Sequence, residues 1–385
     1  MSSEESINQV LSARGLKASA AQPRVMLEEE NNGRVLVARE GEGREGILEQ
    51  WPAIGHMACF FGVLILVSFA FNGIITSGFR RVKTSEFGAL NDALGGKVNA
   101  QIVITGSSRA AAHYDPRVIE ALTGHSAFNL GRNGSQTDMQ VAFLKAYLAH
   151  NRRPEIVIHN LDSFTFVTTR EVYDPVQYTP YLYDRNLYDA LRKINPNTWK
   201  DRYVPLYGYV VEDMRLTWIT GLKGFAGWSP PEDHFLGFNP RSAKWSQEFQ
   251  NFKAANPNGV RFDIEPAGIE VMKDLISVCR QNGIQLIFVY SPEYSEMQSL
   301  TKNRADIFNL FHELAAPAGI PVWDYSDWKY SDNQAFFQNS QHLNATGAEV
   351  FSEDVANRLK TYSAARFKAA QDEHLPVATT IDLRN

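Results

Sequence analysis

The stretch Ile102-Val103-Ile104-Thr105-Gly106-Ser107-Ser108-Arg109 decides the fold of this 385-residue chain. Three β-branched apolar residues run into a tight Gly-Ser-Ser turn, and a helix opened by Asp115-Pro116 follows. Such a sequence places a side chain at the carboxyl edge of a parallel strand, where open α/β sheets hold their sites. A serine there is exposed as a nucleophile, with helix N-terminal amides close to its oxygen. The plainer reading of Gly-Ser-Ser is a turn or N-cap serine.

Outward from this stretch the rhythm repeats. The spacing predicts strands at 101–105, 126–130, 155–160, 285–290 and 321–324. Helices are predicted from Pro116 to before Gly124, from a Ser135/Asp138 capping pair to His150, from Pro266 to Asn282, from Arg304 to Ala316, and from a Thr346/Glu349 capping box to about Tyr362. Five strands alternating with helices imply a parallel sheet covered on both faces. Between strands three and four, residues 164–259 break the rhythm. They are dense in aromatics and proline, with a short helix near Asp184–Lys193, and read as an inserted cap.

From Trp51 to Phe79 there is no Asp, Glu, Lys or Arg, enough for a membrane span, which needs about 20 residues. A signal peptide fits poorly so far from the start, and a buried core helix fits poorly with so uniform an apolar surface. Residues 1–50 are polar and without apolar period, and read as a disordered tail; 366–385 read as a second tail after a domain spanning 84–365. Arg39 and Arg44 precede the span, and Arg80, Arg81 and Lys83 follow it, so charge gives little guide to orientation. A net charge of -5 without a basic run excludes a nucleic-acid partner. Two cysteines, Cys59 in the apolar segment and Cys279 in a predicted helix, exclude a cysteine metal site and make a disulfide between them improbable.

Two further stretches bear on chemistry. Asn339-Ser340-Gln341-His342-Leu343-Asn344 precedes the last helix. A histidine there reaches across the carboxyl edge of the sheet and serves as general base for Ser108. Gly131-Arg132-Asn133-Gly134-Ser135 follows the second strand, and its glycines let backbone N–H groups point into a site as an oxyanion hole requires. The plainer alternatives are a surface histidine and a glycine turn that starts a helix.

Gly-Ser-Ser after strand one, Gly-x-x-Gly after strand two and His-Leu-Asn before the last helix resemble the SGNH/GDSL hydrolase superfamily. With the N-terminal span and the insertion, the chain resembles its membrane-anchored branch, which includes the D-alanyl transfer protein of teichoic acid modification and the alginate acetylation proteins. The resemblance covers roughly residues 100–165 and 265–362. It implies a three-layer flavodoxin-like α/β domain with Ser108 as nucleophile and His342 as base. The backbone N–H groups of Ser108 and Gly134 would be oxyanion donors, and Asn160 or Asp162 would stand in the third oxyanion position. The family's usual Asp three residues before the histidine is Asn339 here, with Asp332 or Asp327 as substitutes from the preceding loop. Arg109 and Arg132 beside the site would hold a carboxylate or phosphate on a glycan or lipid carrier. The insertion's aromatics would stack sugar rings or form the cap's own core.

The resemblance further implies an acyltransferase or esterase, acting through a serine acyl-enzyme on a cell-envelope polysaccharide and needing neither metal nor organic cofactor. It implies a single-pass protein of the bacterial inner membrane, its catalytic domain periplasmic or extracellular, and a multi-spanning membrane acyltransferase as partner. A non-catalytic glycan-binding subunit and a plain esterase are the rival readings.

Overall fold

In the computed structural model the described residues are 45–372, without 211–212, 232–233, 243–244 and 246. The expected tails therefore lie largely outside them, at 1–44 and 373–385. Five strands form one parallel sheet: β1 (Ile102–Thr105), β2 (Ala127–Asn129), β3 (Ile156–Leu161), β4 (Gln285–Tyr290) and β5 (Val322–Asp324), in the order β2-β1-β3-β4-β5. This is the α/β architecture expected from the sequence.

The strands are buried on both faces, and their period of two sorts each side chain into one of two cores. Val103, Val157, Leu286 and Phe288 face α5 (Thr137–His150), α10 (Pro266–Gln281) and α12 (Arg304–Ala315). Ile102, Ile104, Ile158, Ile287 and Val289 face the other way, against the last helix, α13 (Ala345–Asp372), through Phe351, Val355 and Leu359. On this side α4 (Pro116–Thr123) adds Ile119. Asp115 caps α4 by accepting from Arg117 N–H at 3.0 Å, and Gly124 ends it with φ +75.

Two expected caps are placed differently. The last helix is capped by Asn344, whose Oδ1 accepts from Gly347 N–H at 2.9 Å, and Thr346 lies inside the helix. Ser135 donates back to the Arg132 carbonyl at 2.9 Å and so closes the Gly134 turn, while Asp138 accepts from Thr169 N–H at 3.0 Å. Ser135 is thus spent on a local turn, and Asp138 on a partner 31 residues away.

The apolar segment forms one helix, α1 (Glu45–Phe79), and within its Ala53–Phe79 part an 18-residue window reaches a mean hydropathy of 2.3. At about 1.5 Å per residue those 27 residues span about 40 Å, more than a bilayer core of about 30 Å. Ile75, Phe79 and Val82 pack against Val176 and Tyr209 of the insertion. A helix not expected from the sequence, α2 (Ser85–Leu94), follows and packs Leu90 and Leu94 on Met139 and Phe143 of α5. Within the insertion lie α6 (Arg185–Ile194), α7 (Thr198–Tyr203), α8 (Met214–Phe225) and α9 (Glu248–Ala255).

Candidate active site

The Gly-Ser-Ser turn serves both readings of its serines at once. β1 ends at Thr105, Gly106 turns with φ +147, and α3 (Ser108–His113) begins immediately. Ser107 is the N-cap, its Oγ accepting from Arg109 N–H at 3.2 Å. Ser108 is the first helical residue, so its own N–H has no partner inside the helix. Its hydroxyl lies 2.8 Å from His342 Nε2.

Asn339 sets the tautomer of that histidine. Its Oδ1 lies 3.0 Å from His342 Nδ1 and accepts from the backbone N–H groups of His342 at 2.9 Å and Gln341 at 3.1 Å. Two N–H donors identify that atom as the amide oxygen, so Nδ1 carries the proton and Nε2 presents a lone pair to the Ser108 hydroxyl. Asp332 is held by Ser295 instead, and Asn339 already occupies Nδ1, so neither Asp332 nor Asp327 takes the third place.

A second imidazole, His113, fixes the loop from behind. It is fully buried, and its Nε2 accepts from Leu343 N–H at 3.0 Å. Nδ1 therefore carries the proton and donates to Ser291 Oγ at 2.9 Å. The His342 loop is also tied to itself, Gln338 N–H donating to the His342 carbonyl at 2.8 Å. These bonds hold the base to a backbone that the sheet positions.

Burial, with the positive charges of Arg241 and Arg109, pushes His342 down to about 3. Burial and Arg109 likewise hold His113 well below the ordinary imidazole value. Both imidazoles are neutral at pH 7, the form a general base requires.

The Gly131–Ser135 turn lies against the serine corner. Arg132 N–H donates to the Gly106 carbonyl at 3.0 Å. Gly134 has φ +64, and a Cβ there would sit 2.5 Å from Tyr173 Cβ, so conformation and space both require glycine. Among the described residues the N–H groups of Ser108 and Gly134 donate to no protein acceptor. Both remain available to an oxyanion.

Asn160 and Asp162, expected as oxyanion donors, are turned away from such work. Asn160 is buried, its Oδ1 accepting from Tyr114 Oη at 2.8 Å and its Nδ2 donating to Leu161 O at 3.1 Å and Asp162 Oδ1 at 3.3 Å. Asp162 Oδ1 also accepts from Arg109 at 3.1 Å, and burial holds this carboxyl up to about 6 against the pull of that guanidinium.

Arg109 and Arg132, expected as substrate anchors, are buried as well. Arg109 donates to the carbonyls of Leu161 and Ser291, pairs with Asp162 at 3.1 Å and Glu293 at 3.4 Å, and stacks on Tyr290. It pins the end of β1 to the ends of β3 and β4. Arg132 pairs with Glu86 at 3.3 Å and donates to Gln177. The cation nearer the base is Arg241 of the insertion, which donates to Asn133 Oδ1 at 2.6 Å. Asn133 Nδ2 donates to Glu86, so α2 and the insertion clasp the glycine turn together.

Arg241, His113, Glu86 and Tyr173 were not singled out as site residues from sequence. Arg241, Glu86 and Tyr173 are brought to the glycine turn across more than twenty residues of chain, and His113, on α3 with Ser108, meets Leu343 across 230, so no local pattern marks these meetings.

No family model and no curated protein matches the sequence. Solved structures similar to the chain include a candidate acylhydrolase from Bacteroides fragilis, 12% identical, covering 67% of this chain and 87% of its own with a TM-score of 0.32. A GDSL-like lipase from Bacteroides thetaiotaomicron is 10% identical over 70% of this chain and 98% of its own, also with a TM-score of 0.32. At so low a superposition the chemistry rests on the site's own geometry. The parallel β2-β1-β3-β4-β5 order, the serine on the corner after β1 and the histidine before the last helix are the layout expected of an SGNH/GDSL-like hydrolase.

Proposed function

We propose that the chain is a membrane-anchored serine enzyme of the SGNH type that transfers or removes an acyl group, acetyl in the simplest case, on a cell-envelope polysaccharide. The observation that carries the reading is the continuous relay Ser108 Oγ–His342 Nε2 at 2.8 Å and His342 Nδ1–Asn339 Oδ1 at 3.0 Å, with its tautomer set by backbone donors to the asparagine.

Ser108 Oγ attacks the acyl carbonyl carbon, and His342 Nε2 takes the hydroxyl proton as the new C–O bond forms. The oxyanion is met by the N–H groups of Ser108 and Gly134. The tetrahedral species collapses, the bond to the leaving alcohol breaks, and His342 returns the proton to that oxygen. A sugar hydroxyl or water, deprotonated by the same Nε2, then attacks the acyl-enzyme and releases Ser108. The chemistry needs no metal or organic cofactor.

The polysaccharide reading draws on the resemblance and on two features. Glu86, which clasps the glycine turn, lies seven residues after Phe79, so it stands within about 25 Å of the end of α1 (7 × about 3.6 Å). Tyr173 presents a half-exposed ring beside Gly134, a face suited to a sugar. A multi-spanning membrane acyltransferase would supply acyl groups across the bilayer.

The test is labelling of the full chain by a fluorophosphonate probe. Label is expected on Ser108, abolished in Ser108→Ala and reduced at least a hundredfold in His342→Ala, since nucleophile and base act as a unit. Ser107→Ala removes the helix cap, worth about 1 kcal/mol, and a hydrogen bond to the Asp162 carboxyl, and keeps the label. Label that survives Ser108→Ala, or no label on a folded wild-type chain, refutes the reading. A glycan-independent, fast turnover of nitrophenyl acetate would favour a plain esterase.

A further inference from the structure

We propose that α8 is a second membrane-contacting element: it lies in the lipid headgroup and acyl boundary beside α1, so that the catalytic domain is held to the bilayer at two helices. The inference rests on the reading of α1 as an anchor and is independent of the chemistry at Ser108.

The first observation is how closely the two helices meet. A Cβ on Gly78 of α1 would lie 1.7 Å from the Gly221 carbonyl oxygen of α8, and one on Gly224 would lie 2.3 Å from the Gly78 carbonyl oxygen. Glycines at such a crossing let two helix backbones touch, as they do between helices in lipid. Phe71 meets Trp218 edge-on at 5.5 Å, Ile75 meets Gly221, and Gly78 meets Phe225 N. The numbers rise together along both helices, so they run parallel. The contact begins at Phe71 and Trp218, and Phe225 lies beside Gly78 at the end of the apolar segment.

The second observation is what α8 shows on its other side. Leu216 is 59% exposed, and Ile219, Leu222 and Phe225 are also exposed. Leu66, Val67 and Phe69 of α1 are exposed as well, so both of the packed helices carry large apolar side chains in the open. Four large exposed apolar side chains with Arg215 and Lys223 among them suit a lipid boundary, where long cationic side chains reach the headgroups.

The third observation is the belt at the C-terminal end of α8. Lys223 lies over the ring of Trp228, itself 72% exposed, and Arg81 lies over Phe225 while donating to its carbonyl at 3.0 Å. Exposed tryptophan with cations at the end of an apolar face marks the headgroup level. At the other end of α8 the N-cap Asp213, which accepts from Leu216 N–H, and Arg215 limit the apolar face.

The test reads lipid contact on the full chain in phosphatidylcholine–phosphatidylglycerol vesicles. Cys59→Ala removes the exposed thiol; Cys279 stays, because burial pushes its thiol up to about 12. Single cysteines at Leu216, Ile219, Leu66 and Arg185 carry a nitrobenzoxadiazole fluorophore. Phosphatidylcholine spin-labelled near its headgroup is expected to quench residues 216 and 219 at least half as strongly as residue 66 and to leave residue 185 unquenched. Aqueous iodide should show the reverse order. Iodide reaching 216 and 219 as readily as 185, with 66 still quenched by lipid, overturns the inference and leaves the anchor standing. Neither quencher reaching 216 and 219 means a protein covers α8, which also overturns it. Residue 66 open to iodide and untouched by lipid sinks the anchor reading and the inference together, while fluorophosphonate labelling at Ser108 would be unaffected.

Discussion

The Oδ1 of Asn339 accepts from His342 Nδ1–H and from two backbone N–H groups, so it orients the imidazole without supplying charge. In a serine protease the Asp-to-Asn change costs about 10⁴ in rate through a wrong tautomer. Here the tautomer is right, and what is absent is stabilisation of imidazolium. With burial, Arg241 and Arg109 all disfavouring that cation, His342 falls to about 3 and is a weak base. Because the neutral form is the active one and its pKa is lowered, acylation by a fluorophosphonate should stay flat from pH 8 down to about pH 5, where an imidazole of pKa ~6.5 would have lost about 97% of its neutral form. Asn339→Asp places a carboxylate among three donors already in position. It should raise the pKa of His342, move the acid limb of the pH–rate profile upward and increase the plateau rate about ten- to a hundredfold. A fall in rate would show that the Asn339 amide has a role of its own. That Ser108, His342 and Asn339 would meet was legible in the sequence, because each lies beside a strand end or a helix start. Arg109 and Arg132 were legible as cations near the site, but sequence does not show that Asp162, Glu293 and Glu86 would bury them.

Five strands and the long helices were readable because short continuous apolar runs and terminal Gly or Pro signals are local. Helix ends were less so: Ser135 and Thr346 each looked like a cap, but Ser135 bonds back to the Arg132 carbonyl and Asn344 caps in place of Thr346. The short α2 went unseen because its apolar residues find their partners on α5 and on the insertion rather than in a recognisable stripe. The same holds for the α1–α8 crossing, since a glycine in a hydrophobic run does not announce that another helix touches it. Gly221→Leu should force α8 from α1 and cost about 1–3 kcal/mol, as overpacking does elsewhere. Limited proteolysis should then cut between Ile194 and Trp228 faster than in the wild type, while Gly227→Leu, with open space around its Cβ position, serves as the comparison at a glycine of positive φ. Equal cutting of wild type and Gly221→Leu would mean that the crossing carries little of the cap's stability.

At the scale of the whole molecule, the anchor proposed for α1 leaves two orientations for the sheet. The positive charges flanking the span give no clear orientation, because Arg80, Arg81 and Lys83 follow it as Arg39 and Arg44 precede it. The fold gives the later arginines other work. Arg80 donates from Nε to the Pro180 carbonyl at 3.1 Å and lies over Tyr181, and Arg81 donates to the Phe225 carbonyl. Cations that fasten the insertion to the end of α1 are required there whichever side that end faces, so they weigh little as orientation signals. An enzyme acting on an envelope polymer has its substrate outside, and on that ground residues before Trp51 are expected in the cytoplasm and the domain after Lys83 beyond the membrane. Alkaline phosphatase fused after Asn385 should then be active, and a reporter that matures only in the cytoplasm should be dark at the same place. The reverse pair of results would put Ser108 in the cytoplasm. The site's chemistry would stand, but its acceptor would then have to be a lipid-linked or soluble precursor available before export.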